Sequence, residues 1–570
     1  MVLIIIHVFQ LNKFYLLLKM LIRENILLIF ITLSIFFQNV VDGIERPNII
    51  IILADDLGWN DVSFHGSNQI QTPNIDALAY NGIILNSHYV PALCTPSRAS
   101  LMTGKYPTSL GMQHLVILSP EPWGLPLNET LMPEYFNKNG YATHAVGKWH
   151  LGFFKKEYTP IYRGFDSHFG HWNGFQDYYD HTTMSDSLKG YDMRRNFEVD
   201  YSYQGMYTTD VFTKEAIKII DNHNSQKGPL FLYLSHLAPH SGNPDNPFQA
   251  PEDEISKHEC INDPGRKIYA AMVTKLDESV GQVVSALEKN KMLNNSIIIF
   301  MSDNGAATYG LHSNRGSNYP LRGLKESPWE GGVRGTAAIW SPFLNKTKRV
   351  SKQLMHMSDW LPTLLTAAGL NYSSTQLINK IDGIDMWNVL SNDLPSPRKE
   401  VFNNYDEIEN YSSLMIDSWK YVEGTAQEGK ADYWFEEPSR NNCSEYRVSN
   451  EDIFRLRRDS TIICDNPTFS SSLSITRNNH TDVKNKTKYV LTCDPLLKRF
   501  CLFNLNDDPC ERLNLADVFP DVVKRIKNRL LELKKSVVKP LNKPEDPYSN
   551  PMFYNGTWVN WKDDIKPNEI

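Results

Sequence analysis

The sequence has no excess of positive charge. Its 58 Lys and Arg residues are outnumbered by 65 Asp and Glu residues, which gives a formal net charge of −7 at pH 7. Proteins that bind nucleic acids need clustered Lys and Arg to neutralise phosphates, so this balance argues against that class. It does not exclude an acidic substrate, because an anion requires only a local positive site.

The sequence also shows no internal repeat and no apolar run long enough to be a convincing membrane span. Its two N-terminal apolar stretches, residues 1–18 and 26–37, are interrupted by Lys19, Arg23 and Glu24. Neither reaches the roughly 18–20 continuous residues of a spanning helix. Basic residues before the second stretch and small residues after it predict a cleaved signal peptide over residues 1–43. The alternatives are an uncleaved anchor and a translation start at Met20.

Cysteine is scarce, with seven residues in a chain of 570. Together with a signal peptide, these cysteines predict a protein of the secretory pathway, with a lysosomal or extracellular destination. An odd number leaves one cysteine outside any set of internal disulfides, and Cys94 is the candidate. Glycosylation sequons suit the same compartment; they lie at Asn128, Asn294, Asn345, Asn371, Asn410, Asn442, Asn479, Asn485 and Asn555.

Two continuous apolar runs each end in paired oxygen-bearing side chains. The residues that follow the runs at 48–54 and 296–302 are Asp55, Asp56, Asp303 and Asn304. Such runs predict strands buried on both faces of a parallel sheet, and ligands bind at the carboxyl ends of these strands. Buried carboxylates are costly unless they bind a cation. Oxygen ligands alone favour Ca²⁺ or Mg²⁺ over Zn²⁺.

Basic side chains follow two more predicted strands, at residues 140–148 and 229–235, and another lies in the Gly-rich loop 321–335. The candidates for binding an anion are Lys148, His150, His240 and Lys325. Lys148 and His150 are two residues apart and are expected to leave their strand on the same side. Taken one at a time, each is more often a solvated residue than a functional group.

The composition shifts beyond Ser391. Alternation over residues 400–423 predicts antiparallel strands, one of them at residues 417–421. Residues 426–488 are polar, Ser/Asn/Arg-rich and poor in regular pattern, so they are predicted to be a long insertion or loop.

The segment after this insertion is predicted to contain one strand and one helix. Residues 501–510 indicate a strand and a turn joined by a disulfide between Cys501 and Cys510. Pro520 is expected to start a helix that docks its apolar stripe on the C-terminal sheet. That stripe consists of Val523, Ile526, Leu530, Leu533 and Val537.

The strongest motif is the string CTPSRASLMTG at residues 94–104. Pro96 suits the first position of a short helix that ends at Gly104. Cys94 is then expected just before the helix N-terminus, where free N–H groups favour an anion. Arg98, one turn further on, can offer a planar cationic fork to an oxyanion. The alternative is an ordinary buried or disulfide-bonded cysteine.

This motif resembles the signature of the sulfatase family, and other segments match that family in the same order. They are Asp55-Asp56, residues 147–152 (GKWHLG), residues 303–305 (DNG), Lys325 and residues 329–335. The resemblance covers residues 46–390. It is closest to the arylsulfatase B (N-acetylgalactosamine-4-sulfatase) members, including the string QDYY at residues 176–179 and an aromatic tail around Trp558.

The resemblance implies an α/β fold, an alkaline-phosphatase-like sandwich with a large mixed, mostly parallel sheet between helices. This catalytic domain would cover residues 44–395. A smaller C-terminal α+β domain with an antiparallel sheet would cover residues 396–570 and contain the polar insertion.

In that family the cysteine is oxidised by the formylglycine-generating enzyme, and the hydrated aldehyde attacks a sulfate ester. The resemblance implies one divalent cation, Ca²⁺ rather than Mg²⁺, bound by Asp55, Asp56, residue 94, Asp303 and Asn304. It implies catalytic roles for Cys94, Arg98, Lys148, His150, His240 and Lys325. Either His240 or Lys325 would protonate the leaving alcohol. The implied substrate is sulfated N-acetylgalactosamine of glycosaminoglycans or a related sulfated metabolite.

Three other functions are weighed against this one. A phosphate or phosphonate ester hydrolase of the same superfamily is nearest, although the sequence shows no motif for a two-zinc site. A non-catalytic secreted binding protein on the same scaffold would be expected to have lost site residues. A disulfide-linked structural glycoprotein would leave the carboxylates at the strand ends unexplained.

Overall fold

The computed structural model describes residues 46–310, 312–370, 381–435, 438, 443, 450–464, 493 and 500–564. The predicted signal peptide, much of the polar insertion and the sequons at Asn371, Asn442, Asn479 and Asn485 lie outside these residues. The other sequon asparagines are exposed; they are Asn128, Asn294, Asn345, Asn410 and Asn555. Within the described ranges, no helix combines the length and the apolar character that a membrane crossing requires.

A ten-stranded sheet forms the centre of the molecule. The strands within the described ranges are β1 (Asn48–Ala54), β2 (Ile83–Leu85), β3 (His88–Tyr89), β4 (Ala142–Lys148), β5 (Ser167–His171), β6 (Thr182–Ser185), β7 (Leu188–Tyr191), β8 (Arg194–Arg195), β9 (Glu198–Val199), β10 (Leu230–Ser235), β11 (Ser296–Ser302), β12 (Ala337–Trp340), β13 (Arg349–Ser351), β14 (Met355–His356), β15 (Glu400–Asp406), β16 (Tyr411–Ile416), β17 (Trp419–Glu423) and β18 (Phe500–Asn504). The large sheet has the order β13-β2-β12-β11-β1-β10-β4-β5-β8-β9. Its central strands β11, β1, β10, β4 and β5 are parallel, and β12 and β8 add antiparallel pairs. The predicted mixed, mostly parallel sheet is confirmed.

Helices cover both faces of this sheet. The helices in the described part of the chain are α1 (Pro73–Asn81), α2 (Cys94–Thr103), α3 (Pro107–Leu110), α4 (Met132–Lys138), α5 (Thr208–Asn222), α6 (Glu252–Ile255), α7 (Pro264–Lys289), α8 (Glu330–Val333), α9 (Trp360–Ala367), α10 (Trp387–Asn392), α11 (Glu451–Ser460), α12 (Pro520–Leu533) and α13 (Trp561–Asp564). Ile49 and Ile51 of β1 face a core that includes α2, α4 and α9. Ile50 and Ile52 face a second core with α1, α5 and α7. Every residue of β1 is buried, as the continuous apolar run predicts.

A smaller antiparallel sheet follows, with the order β15-β16-β17-β18. One face packs on Trp329 and Val333 of the loop and helix α8. The other face packs on Val523, Ile526 and Leu530 of α12, so the predicted docking of this helix is confirmed. The strand predicted at 417–421 begins instead at Trp419. Asp417 takes a left-handed conformation with φ of 55°, which makes residues 417 and 418 the turn from β16 to β17.

The predicted disulfide between Cys501 and Cys510 is wrong. Cys501 lies inside β18 and pairs with Cys493, whereas Cys510 lies beyond the strand and pairs with Cys464. Each of the two cysteines pairs with one earlier in the chain: Cys464 lies in the polar insertion, and Cys493 lies between the insertion and β18. A third disulfide joins Cys260 and Cys443. All seven cysteines are described, and Cys94 is the free one, as predicted.

The insertion is more regular than predicted in its described part. α11 begins after Asn450, whose side chain accepts the backbone N–H groups of the first turn. Arg457 of this helix donates to the carbonyls of Ser63 and Ser67, in the segment between β1 and α1. The Asn-Glu-Asp start and the arginines of the last turn were a helix signal in an otherwise polar stretch.

The aromatic tail returns to the large sheet. Trp558 and Trp561 are fully buried and pack against Phe153, which stacks on Trp172. The tail therefore belongs to the same core as helices α2 and α4. The domain boundary at residue 396 stays a prediction.

Candidate active site

The carboxyl ends of β1, β11, β10 and β4 bring the predicted polar residues to one edge of the sheet. β1 lies between β11 and β10, and β4 lies on the other side of β10. Because these strands are parallel, the residues that follow them share one edge. Those residues are Asp55, Asp56, Asp303, Asn304, His240, Lys148 and His150. Lys325 reaches the same place from the loop before α8.

Cys94 is the first residue of α2, not the residue before it as predicted. The helix follows an extended N-cap at Leu93 and ends at Gly104, whose φ of 69° suits glycine. Pro96 is therefore third in the helix, where its missing N–H still costs no intrahelical hydrogen bond. Cys94 is buried, and its Sγ lies 3.5 Å from Oδ1 of Asp55 and 3.9 Å from Oδ1 of Asp56. Burial raises the pKa of its thiol.

Arg98 binds the carboxylates. Its side chain is fully buried, and Nε and Nη2 donate to Oδ2 of Asp303 at 3.1 and 2.7 Å. Nη2 also lies 3.6 Å from Oδ1 of Asp55. Nη1 donates to the hydroxyl of Ser235 and to the carbonyl of Lys148. The guanidinium therefore joins the ends of β1, β11, β10 and β4.

Cys94 belongs to a group of potential metal ligands. One ligand atom from each member lies within 4.8 Å of the others; the members are Asp55, Asp56, Cys94 and His240. Asp303 is attached to this group, because its Oδ1 accepts the N–H of Asp56 at 3.2 Å. Asn304 donates through Nδ2 to Oδ1 of Asp56 at 2.6 Å. Its own Oδ1 is buried and has no hydrogen-bond partner in the described part of the chain. A cation would satisfy this oxygen.

Three cations face the three buried carboxylates. Nζ of Lys148 lies 2.6 Å from Oδ2 of Asp55, and Nζ of Lys325 lies 2.8 Å from Oδ2 of Asp56. Burial would raise the pKa of Asp56, but Lys325 and the other basic side chains around it, His240 and Lys148, together outweigh burial, and this pKa falls below its ordinary value. Burial and the charge of Asp55 raise the pKa of Asp303. The third cation is Arg98, so the three positive charges offset the three carboxylates and the net charge of the group is near zero.

His240 forms a pair with Lys325. Its Nδ1 lies 2.6 Å from the carbonyl of Ser241, which can only accept, so Nδ1 carries the proton. Nε2 is then an acceptor, and Nζ of Lys325 lies 3.4 Å away. Burial lowers the pKa of His240 well below its ordinary value, while Asp56 raises the pKa of Lys325 against the effect of burial. The transferable proton of this pair is therefore on Lys325.

His150 has one free nitrogen in the site. Its Nε2 donates to the carbonyl of Ile117 at 3.0 Å, and its Nδ1 is buried without a partner among the described residues. Burial and the charge of Lys148 lower the pKa of this imidazole well below its ordinary value. Gly174 leaves space for the ring, since a Cβ there would lie 2.6 Å from Cε1 of His150. Nδ1 is thus a neutral, buried proton acceptor.

The structure adds residues that the sequence analysis missed. Phe175 stacks on His240 with 5.7 Å between ring centroids, and His312 lies 4.8 Å from Phe175. Asn314 donates to the carbonyls of Asp56 and Pro239, which fixes the segments after β1 and β10. All three come from loops without periodicity, so their types and spacing carry no signal. The Asn-rich loop that follows Asp303 comes closest to a sequence signal for these residues.

The sequence of this chain is similar to that of a known protein family. The profile of the Sulfatase family matches residues 47–370. Arylsulfatase J of Mus musculus is 36% identical over 540 residues, which cover 91% of this chain and 81% of that protein. N-acetylgalactosamine-6-sulfatase of Mus musculus is 32% identical over 356 residues, covering 60% and 66%. Human arylsulfatase A is 30% identical over 402 residues, covering 67% and 76%.

Solved structures share the fold over most of their length. The crystal structure of Ps i-CgsB in complex with k-i-k-neocarrahexaose has a TM-score of 0.68 and 25% identity, covering 92% of this chain and 98% of that one. The PsFucS1 sulfatase from Pseudoalteromonas sp. has a TM-score of 0.62 and 23% identity, covering 89% and 94%. The second similarity supports the fold alone.

Proposed function

Because this chain belongs to the sulfatase family of sulfuric ester hydrolases, we propose that it removes sulfate from a sugar by means of a formylglycine at position 94. The observation that carries this proposal is the position of Cys94. It is a free cysteine at the start of a helix, with its Sγ 3.5 and 3.9 Å from two strand-end carboxylates. A disulfide-bonded or purely structural cysteine would not require two carboxylates close to its sulfur.

Residue 94 would have to be oxidised by the formylglycine-generating enzyme in the secretory pathway. The hydrated aldehyde would supply two hydroxyl groups, one to attack sulfur and one to expel sulfate by elimination. His150 fits the second step, because its neutral Nδ1 can take the proton of the second hydroxyl. Lys325 fits the first step, because it holds a proton beside His240 and can pass it to the leaving oxygen. Both residues would be regenerated in each turnover.

The residues present fit one oxygen-ligated divalent cation, and we propose Ca²⁺. Asp55, Asp56, Asp303 and the unpaired Oδ1 of Asn304 would hold it. Oxidation of Cys94 would replace the sulfur in the group by oxygen, which favours Ca²⁺ or Mg²⁺ over Zn²⁺. When bound, such an ion supplies electrophilic assistance at a sulfate oxygen. It would also make a nearly neutral site positive, as an anionic substrate requires.

Arg98 is a positioning residue in this proposal. Its guanidinium is fully buried and occupied by Asp303 and Ser235, so it holds the ligands and does not face the substrate. Lys148 and Lys325 are the cations left to neutralise the sulfate. This assignment differs from the role of an oxyanion fork that the resemblance alone implies for Arg98.

We propose sulfated N-acetylgalactosamine as the substrate, on a glycan met in the lysosome or outside the cell. Two relatives are named for sulfatase activity on this sugar or on aryl sulfates. The resemblance to arylsulfatase B favours the 4-sulfate, while the N-acetylgalactosamine-6-sulfatases favour the 6-sulfate. Three disulfides suit an oxidising compartment.

A screen of purified, secreted protein tests this function. Sulfate release would be measured from N-acetylgalactosamine 4-sulfate, N-acetylgalactosamine 6-sulfate and an aryl sulfate, at acidic and neutral pH. Matched phosphate and phosphonate esters test the alternative hydrolase. Release of sulfate from a sugar supports the proposal. Faster phosphate release, or binding of sulfated sugar without turnover, would support one of the alternatives.

Asp303→Asn is expected to lower the metal content of the secreted protein. The change removes one charge from the ligand group and weakens the bond to Arg98, with almost no change in volume. Metal per chain would be measured by mass spectrometry and is expected to fall well below that of the wild type. Asp186→Asn, at an exposed position in a hairpin, is the matched control. A normal metal content in Asp303→Asn would contradict the site.

His240→Ala is expected to reduce turnover of sugar sulfates by about 10²-fold, the usual effect of a positioned acid–base group. The loss should be smaller for nitrophenyl sulfate, whose leaving group needs no proton. Melting temperature should stay near that of the wild type, because the residue lies in a loop at the strand end. His144→Ala, on a half-buried position of β4, is the control. An equal loss on both substrates would argue for a structural role.

A further inference from the structure

Two aromatic side chains lie against His240 on its solvent side. The ring of Phe175 is nearly parallel to that of His240, with 5.7 Å between their centroids. The ring of His312 lies 4.8 Å from that of Phe175 and 6.0 Å from that of His240. His240 is 3% exposed, whereas Phe175 and His312 are half-buried. These two residues, which we call the ring pair, therefore form the outer layer over His240.

The ring pair borders the place where the ester bond would be broken. Nε2 of His240 lies 3.4 Å from Nζ of Lys325, the proposed proton donor to the leaving oxygen. Gly174, the residue before Phe175, packs on the ring of His150, since a Cβ there would lie 2.6 Å from Cε1. The segment of residues 174 and 175 therefore reaches from one proposed proton-transfer group to the other. The ring pair is a partly exposed surface within this site.

The imidazole of His312 is free to bind a ligand. Neither ring nitrogen has a hydrogen-bond partner among the described residues, and neither is a buried atom, so both are accessible. The backbone, in contrast, is held in place, because the carbonyl of His312 accepts the hydroxyl of Ser241 at 3.1 Å. Burial and the charges of Lys325 and Lys148 lower the pKa of His312 to about 4. The ring is therefore neutral at neutral and mildly acidic pH, and offers one N–H donor and one acceptor.

We propose that the ring pair binds the sugar that carries the sulfate, with Phe175 packed on a C–H face and His312 hydrogen-bonded to a hydroxyl or acetamido group. The inference rests on the proposed function and adds the residues that select a sugar over an aryl sulfate. The ester joins the sugar through the oxygen that Lys325 would protonate, so the sugar lies beside His240. Binding sites for small molecules combine aromatic walls with a few polar groups that set orientation. The ring pair supplies one of each.

The test uses His312→Phe, which keeps an aromatic ring against Phe175 and removes both nitrogens. kcat/KM would be measured for the N-acetylgalactosamine sulfate that the wild type hydrolyses and for nitrophenyl sulfate, which has no hydroxyl or amide group. The ratio of the sugar value to the aryl value is expected to fall about tenfold, the effect of one hydrogen bond. His312→Gln keeps a donor and an acceptor, so its ratio should stay within about threefold of the wild type. His223→Phe, the same change in a cavity at the amino ends of β4 and β10, should leave the ratio unchanged.

The outcomes separate this inference from the proposed function. A wild-type protein that releases sulfate from no sugar would overturn the proposed function and the inference with it. If the wild type is active on the sugar, an unchanged ratio in His312→Phe would overturn the inference alone, and so would equal falls in His312→Phe and His312→Gln. If His312→Phe is not secreted, His312→Ala takes its place with the same expected fall, because it removes the nitrogens and adds no volume.

Discussion

Cys94→Ser is expected to lower sulfate-ester turnover by at least about 10³-fold, the scale of losing a nucleophile. Serine is not converted to formylglycine, and its single hydroxyl could accept sulfate but could not expel it by elimination. The variant should therefore accumulate sulfate on residue 94. Mass spectrometry of the peptide that contains residue 94 would detect it. The wild-type peptide should be lighter than its cysteine form and react with a hydrazide.

Cys94→Ala separates this chemistry from a loss of folding. Both variants replace a buried side chain by one of similar or smaller size, so both should be secreted with similar melting temperatures. The alanine variant should lose turnover but should carry no sulfate. Fully active protein with an unmodified thiol at residue 94 would contradict the formylglycine mechanism.

Lys420→Met is expected to destabilise the fold by about 3–5 kcal/mol, the usual cost of leaving a buried charge without its partner. Nζ of Lys420 lies 2.9 Å from Oε1 of Glu330 and 2.8 Å from Oε1 of Glu511, and all three side chains are fully buried. Methionine fills a similar volume, so the effect reports the charge. Denaturant unfolding and the yield of secreted protein would measure it. Lys430→Met, an exposed residue beside Glu428, is the control and should change stability little.

Glu511 gives the same network a dependence on pH. Burial raises the pKa of Glu511 to about 7, above its ordinary value of 4.5. The folded state then binds more protons than the unfolded state between these values, so this group favours folding as the pH falls from about 7 to 4.5. Glu511→Gln should be more stable than the wild type near pH 8, and this advantage should shrink across that window. An advantage that is constant from pH 8 to pH 5 would contradict the raised pKa.

The sequence predicts the centre of this molecule well and its outer parts less well. β1 and β11 are continuous apolar runs, and such a run predicts a buried strand without knowledge of any other segment. The ends of these two strands therefore locate Asp55, Asp56, Asp303 and Asn304. The contacts between these ends follow from the parallel topology of the sheet.

Other features depend on contacts between distant segments. The pairing of Cys501 with Cys493 depends on the segment between the insertion and β18, whose composition does not indicate where its cysteine lies. The role of Arg98 depends on its hydrogen bond to Asp303, which lies far away in the sequence.

The tail at Trp558 and Trp561 fixes the order of events during synthesis. These side chains share one core with Ala99, Leu101 and Met102 of α2, so this core cannot be complete before the tail has been synthesised. Cys94 is 2% exposed once the core is closed, which bars a modifying enzyme from the folded protein. The proposed oxidation must therefore take place before the fold around Cys94 closes.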